Sequence, residues 1–85
     1  MKVTVIIERN NRGWHSAYIA DDRIKFGVLG EGNTVEETID DFKIGVEEIR
    51  EIYLEEGKEF PDLEFDFKYD TASFPDFDTF KKLIL

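Results

Sequence analysis

A single helical stripe occupies the middle of this chain, with strand-like runs before and after it. That order restricts the fold more than any other feature. Val35, Ile39, Phe42, Val46, Ile49 and Tyr53 step alternately by four and three residues, which places them along one side of an α-helix. Its start is marked by Thr34-Val35-Glu36-Glu37, a capping box in which the threonine hydroxyl accepts from the Glu37 amide while the glutamate reaches back. Glu36, Glu37, Asp40 and Asp41 fill the first turns, where the helix dipole favours negative charge. Gly57 suits a left-handed closing residue, which ends the helix near Glu56. Ile44 and Leu54 lie off the stripe and Ile52 sits at its edge. Gly45 in the helix interior costs about 1 kcal/mol relative to alanine, so it predicts close packing at that point.

The flanking runs read as strands. From Lys2 to Arg9 a β-branched run puts Val3, Val5 and Ile7 on one face. Asn10, Asn11, Arg12 and Gly13 mark a hairpin turn, and Trp14 to Ile19 is the returning strand. Asp21, Asp22 and Arg23 make a second polar turn. Ile24 to Leu29 is expected as a third strand, interrupted by Gly27, with a loop at Gly30 to Asn33. After Pro61, Leu63, Phe65, Phe67 and Tyr69 alternate with Glu64, Asp66 and Lys68, the period of a strand with one buried face. A helix must cross over between strands three and four, so the fourth is expected parallel to the first. The predicted fold is α+β, in the order β-β-β-α-β. One helix packs on a four-stranded mixed sheet, and the sheet's other face stays open unless a partner covers it. In the tail, Phe77, Phe80, Leu83 and Ile84 have helical spacing, with Asp76 as N-cap and Lys81 and Lys82 toward the end, so a short C-terminal helix is expected. The organisation predicted is a domain over residues 1–70 and a helical tail over 71–85.

Charge narrows the function. Twenty acids against eleven bases leave a formal charge of −9 on 85 residues. Such a field repels nucleic acid, whose affinity comes largely from lysine and arginine neutralising phosphates, and it repels anionic membranes. A basic protein surface is the natural partner, because complementary charge speeds encounter. The absence of cysteine removes disulfides, thiolate chemistry and zinc ribbons. The apolar run in MKVTVIIER is too short for a signal peptide or a membrane span, so a cytoplasmic location is expected.

Few residues carry chemistry. His15, the single histidine, reads as a half-exposed strand residue, and Ser16 beside it points to the opposite face, so the two make no nucleophile–base pair. Gly27, Gly30 and Gly32 precede a helix start but lack the spacing and the lysine of a phosphate cradle, and Glu31, Glu36 and Glu37 would repel phosphate. Glu8 and Asp41 are not compelled to converge with other acids for metal-dependent hydrolysis, and Asp21 and Asp22 read as a solvated turn. No catalytic, cofactor or metal site is therefore expected, and the chain is not read as an enzyme. Trp14, Tyr18 and Phe26 are expected to share the open face of the sheet. Together with Asp21 and Asp22 they are the candidate protein interface, tryptophan and tyrosine being common interface anchors.

The opening strand MKVTVIIER, the hairpin into GWHSAY and the helix entry GEGNTVEETIDDF together resemble the N-terminal domain of HicB-type antitoxins, over about residues 1–70. That family carries a strand with a short polar turn, an aromatic before a small residue and a tyrosine, and a glycine-containing threonine-x-glutamate-glutamate entry to its helix. Where its members usually have a proline- and glycine-containing segment after the second strand, Ala20 to Lys25 here read ADDRIK. The resemblance implies a partial ribonuclease-H-like fold without the nuclease's acids. It also implies a role in toxin–antitoxin pairing, in which the domain self-associates and neutralises a small, basic, messenger-RNA-cleaving toxin. Many members continue into a DNA-binding domain, so the alternative is the oligomerisation and regulatory part of a transcriptional regulator. In that reading the helix-turn-helix part is absent from this chain, and the helical tail over 71–85 leads toward it.

Overall fold

The computed structural model describes residues 1–74. The β-branched run forms β1 (Lys2–Arg9), which turns back into β2 (His15–Ile19). Asn10 makes that turn, its Oδ1 accepting from the amides of Arg12 at 2.9 Å and Trp14 at 3.0 Å. Gly13 takes the left-handed conformation (φ +83°) that the turn demands. The chain then forms β3 (Leu29–Gly32), α1 (Val35–Glu55) and β4 (Glu64–Tyr69), and a 3-10 turn follows at Thr71–Ser73. The sheet order is β3-β2-β1-β4, with β1 antiparallel to β2, β2 antiparallel to β3, and β4 parallel to β1, as the crossover helix requires. The fold is thus α+β, a four-stranded mixed sheet with one helix.

Both ends of α1 follow their local sequence. Thr34 Oγ1 accepts from the Glu37 amide at 3.1 Å. The Glu37 carboxylate reaches past Thr34 and accepts from the Asn33 amide at 3.0 Å, while Asp41 accepts from the Glu31 amide at 2.9 Å. The acids of the first turns therefore hold the approach from β3 as well as complementing the dipole. At the far end Lys58 N–H donates to the Tyr53 carbonyl and Gly57 N–H to the Leu54 carbonyl, the paired bonds of a Schellman closure, with Gly57 at φ +70°.

Register separates the two sheet faces. Val3, Val5 and Ile7 stand beside Ile19, Ala17, Phe65 and Phe67 on the helix side. Val5, Ile7, Ala17, Phe42, Val46 and Phe74 form the buried cluster. Phe42 is at its centre, fully buried, and meets Phe65 and Phe67 edge-on with ring centroids 5.2 and 5.7 Å away. A second aromatic group, Phe26, Tyr53 and Phe60, ties the β2–β3 loop to the end of α1, and the Arg50 guanidinium lies 4.7 Å from the Phe60 ring. Ile44 and Leu54 are exposed, as their positions off the stripe predict, and so is Ile52 at its edge.

Four features differ from the sequence-based expectation. The third strand begins at Leu29, not Ile24, because Phe26 turns away to stack on Tyr53 and Phe60. Phe26 is consequently on the helix side and not on the open face with Tyr18. Gly30 and Gly32 belong to β3 instead of a loop, because α1 rests directly on them. A Cβ on Gly30 would stand 2.6 Å from both the Phe42 nitrogen and the Thr38 oxygen, and one on Gly32 would stand 2.7 Å from Glu37 Cβ. His15 is buried, not half-exposed. Its ring packs 5.8 Å from Phe74, and its Nδ1 has no hydrogen-bond partner among the described residues. The close packing expected at Gly45 is present, with Val28 Cγ1 2.7 Å from where its Cβ would be. Phe74, beyond the 1–70 boundary, sits in the core and takes Arg9 over its ring at 4.8 Å. The helix expected near the C-terminus lies outside the described residues.

Gly30→Ala tests the helix–strand contact. Its methyl would meet backbone atoms that cannot swing aside, so we expect a loss of about 3 kcal/mol in urea unfolding. Ala at Gly27, which has open space around it, should change stability by well under about 1 kcal/mol.

Candidate functional site

The face of the sheet away from α1 is uncovered among the described residues. The register aligns Leu29 with Tyr18, Tyr18 with Ile6, and Ile6 with Lys68, giving one row that crosses all four strands. Toward the β1–β2 hairpin that row is bordered by Glu31, Ser16 and Glu8. On its other side lie Thr4 and Asp66, then Lys2 and Glu64. The result is an apolar and aromatic row, Leu29, Tyr18 and Ile6, that ends in Lys68 and is bordered by four carboxylates and by Lys2. Leu29 is 59% exposed, and Ile6 and Tyr18 are half-buried.

Tyr18 is fixed in this row by its hydroxyl, which donates to Glu8 Oε1 at 2.9 Å. That hydrogen bond to a carboxylate, with partial burial and the Glu8 charge behind it, raises the phenol pKa above its ordinary value. Beyond the end of β2, Asp21 binds Arg23 through both carboxylate oxygens, and Arg23 Nη2 donates to the Lys2 carbonyl at 2.9 Å. Asp21 thereby pins the β2–β3 loop to the start of β1. The hydrogen bonds from Arg23 hold its carboxyl well below the usual range, from 3.8 down to about 2.

The five residues singled out from the sequence are not brought together. Tyr18 lies at the centre of the open face. Trp14 is exposed at the hairpin, and Asp21 and Asp22 lie past the opposite end of β2. Asp21 follows Trp14 by seven residues, nearly all of them in or beside β2, a separation of roughly 23 Å along the strand. Phe26 belongs to the aromatic group under α1. The residues missed by sequence reasoning are Ile6, Leu29 and the bordering Glu8. A signal for them existed, since Thr4, Ile6 and Glu8 are the off-phase positions of β1 and a β-branched residue there predicts an apolar spot on the second face.

The two carboxylates weighed for metal-dependent hydrolysis stand on opposite sides of the sheet. Glu8 is on the open face and bonded to Tyr18, while Asp41 is on α1 beyond the other face and bonded to the Glu31 amide. Among the described residues no three histidine or carboxylate side chains are grouped to hold a metal ion. A groove of about 480 Å³ near the hairpin is lined by Arg9, Asn10, Asn11, Gly13, Ala72 and Ser73, with no acid–base pair in that set. Among the described residues no helix is long and apolar enough to cross a membrane. Comparison with protein-family models, curated proteins and solved structures yields no match.

Two titrations check the electrostatics. Glu8→Gln should bring the Tyr18 midpoint back down toward 10, read from its ring carbons by NMR; an unmoved midpoint would show that Glu8 is not the cause. For Asp21 the depressed folded value means the carboxylate's contribution is present above about pH 4 and lost as pH falls through about 2. The stability gap between wild type and Asp21→Asn should therefore be constant near neutrality and shrink over that acidic window.

Proposed function

We propose that this domain works by binding protein through the open face of its sheet, as a HicB-type antitoxin whose partner is a small, basic, messenger-RNA-cleaving toxin. The observation that carries this reading is the Leu29–Tyr18–Ile6 row set between Glu8, Glu31 and Asp66 on a chain of net charge −9. Apolar and aromatic side chains supply contact area that loses water on docking, and the bordering carboxylates meet the partner's cations. Each is insufficient alone. Carboxylates without the apolar row would give a weak, salt-sensitive encounter, and the row without carboxylates would not select a basic partner.

The β-β-β-α-β order and the parallel β1–β4 pair accord with the partial ribonuclease-H-like fold that this reading entails. The separate, hydrogen-bonded placement of Glu8 and Asp41 supports the same reading. Self-association belongs to the same reading, since an antitoxin of this size gains avidity and toxin coverage by pairing. A cytoplasmic setting and the absence of direct nucleic-acid binding by this domain complete the proposal.

Calorimetric titration with a purified HicA-type toxin, at low and moderate salt, tests it. We expect binding that weakens as salt rises, and a loss of about ten-fold or more for Leu29→Asp, which alters the exposed end of the row without touching the core. Charge reversal at Glu8 and Glu31 should mainly slow association. A toxin that does not bind, or binds Leu29→Asp equally well, sinks the proposal. Retained self-association in that case would favour the oligomerisation part of a transcriptional regulator.

A further inference from the structure

The acids of the open face differ in what they already hold. On the side of the row toward Lys2 the chain meets its own charge. Lys68 Nζ lies 3.8 Å from Asp66 Oδ2, and register sets Lys2 against Glu64. Toward the hairpin it does not. Register aligns Glu31 with Ser16 and Ser16 with Glu8, and neither glutamate has an ion pair among the described residues. Glu8 gives one oxygen to the Tyr18 hydroxyl, at 2.9 Å, and among the described residues the Glu31 carboxylate has no hydrogen bond.

Between these two carboxylates is a gap. Three neighbouring strands hold Glu31, Ser16 and Glu8, so the outer two Cα atoms stand about 10 Å apart with only a serine between them. Along β2 the gap has an aromatic residue at each end. Tyr18 is two residues on, on the same face, and its bond to Glu8 leans its ring across the sheet toward the hairpin. Trp14 is two residues before Ser16. Its carbonyl still accepts from the Asn10 amide at 2.9 Å, so the alternation that turns His15 onto Phe74 turns Trp14 the other way, where it is 40% exposed.

A small residue framed by aromatic rings along the strand and by carboxylates across it suits a flat cation with donors on opposite edges. Guanidinium is such a cation. It stacks on an aromatic ring and carries its N–H donors in one plane, so a single arginine can bridge two carboxylates. A lysine ammonium is a compact point charge that would reach only one of them.

We propose that the open face recognises its protein partner through an arginine of that partner, seated over Ser16 between Glu8 and Glu31 and against the Tyr18 ring. The inference rests on the reading of this face as a site for a basic protein, and it names the side chain that the face selects. The second oxygen of Glu8 and the Glu31 carboxylate accept from the guanidinium, while Trp14 closes the hairpin end of the gap.

NMR titration of the full chain with two small probes, N-acetyl-arginine amide and N-acetyl-lysine amide, tests it without a toxin. The arginine probe should shift the amides of Ser16 and Tyr18 and the indole N–H of the single tryptophan. It should also bind more tightly than the lysine probe, by about three-fold or more. Ser16→Leu fills the gap on a face outside the core and should abolish these shifts. Glu31→Gln should weaken them, with circular dichroism confirming that both variants fold. Equal response to the two probes, or arginine shifts that survive Ser16→Leu, overturns the proposal. The toxin calorimetry separates this result from the functional reading. An arginine preference that Ser16→Leu removes, together with a toxin that does not bind, supports the arginine site and removes the toxin as its occupant. A toxin that binds Ser16→Leu as tightly as wild type overturns the arginine site alone.

Discussion

The contact of α1 with β3 sets the rest of the fold. Gly30 and Gly32 let helix backbone descend onto strand backbone with no side chain between them. Once the helix is seated there, Phe42 is placed over the middle of the sheet, where its ring can meet Phe65 and Phe67 from the far strand. A fully buried phenylalanine contributes on the order of 2–3 kcal/mol by burial alone, and its edge-on ring pairs add to that. An exposed ion pair such as Arg50–Glu47 or Lys58–Glu56 contributes a fraction of this. The glycine contact therefore matters less for its own energy than for the geometry that lets the largest apolar contributions form. It also leaves β4 the least covered part of the helix side.

Acidic residues divide into those that hold the fold and those left for a partner. Glu37 and Asp41 accept backbone amides at the β3–α1 junction, and Asp21 positions Arg23 against the first strand. Glu8 both borders the open face and fixes Tyr18 within it. Net charge alone thus overstates how much of the acidity is free for recognition. What remains on the open face is a short set of carboxylates around an apolar row, a pattern suited to a basic protein surface.

Local signals were legible in the sequence wherever a few neighbouring residues decide the outcome. The capping box, the Gly57 closure, the Asn10–Gly13 turn and the two alternating strands β1 and β4 follow from residue chemistry and period, and the parallel β1–β4 pairing follows from the crossover. Three placements needed the tertiary structure. Gly30 and Gly32 read as a loop because no local signal announces that a helix will rest on them. Phe26 read as a strand residue because its partners, Tyr53 and Phe60, lie far along the chain. His15 read as half-exposed because Phe74, which covers it, comes from beyond the apparent end of the domain. The same division holds for the candidate site. Sequence identified Tyr18 and the negative charge, and only register could set Leu29, Tyr18 and Ile6 in one row, since period fixes which face a residue takes but pairing fixes its neighbours.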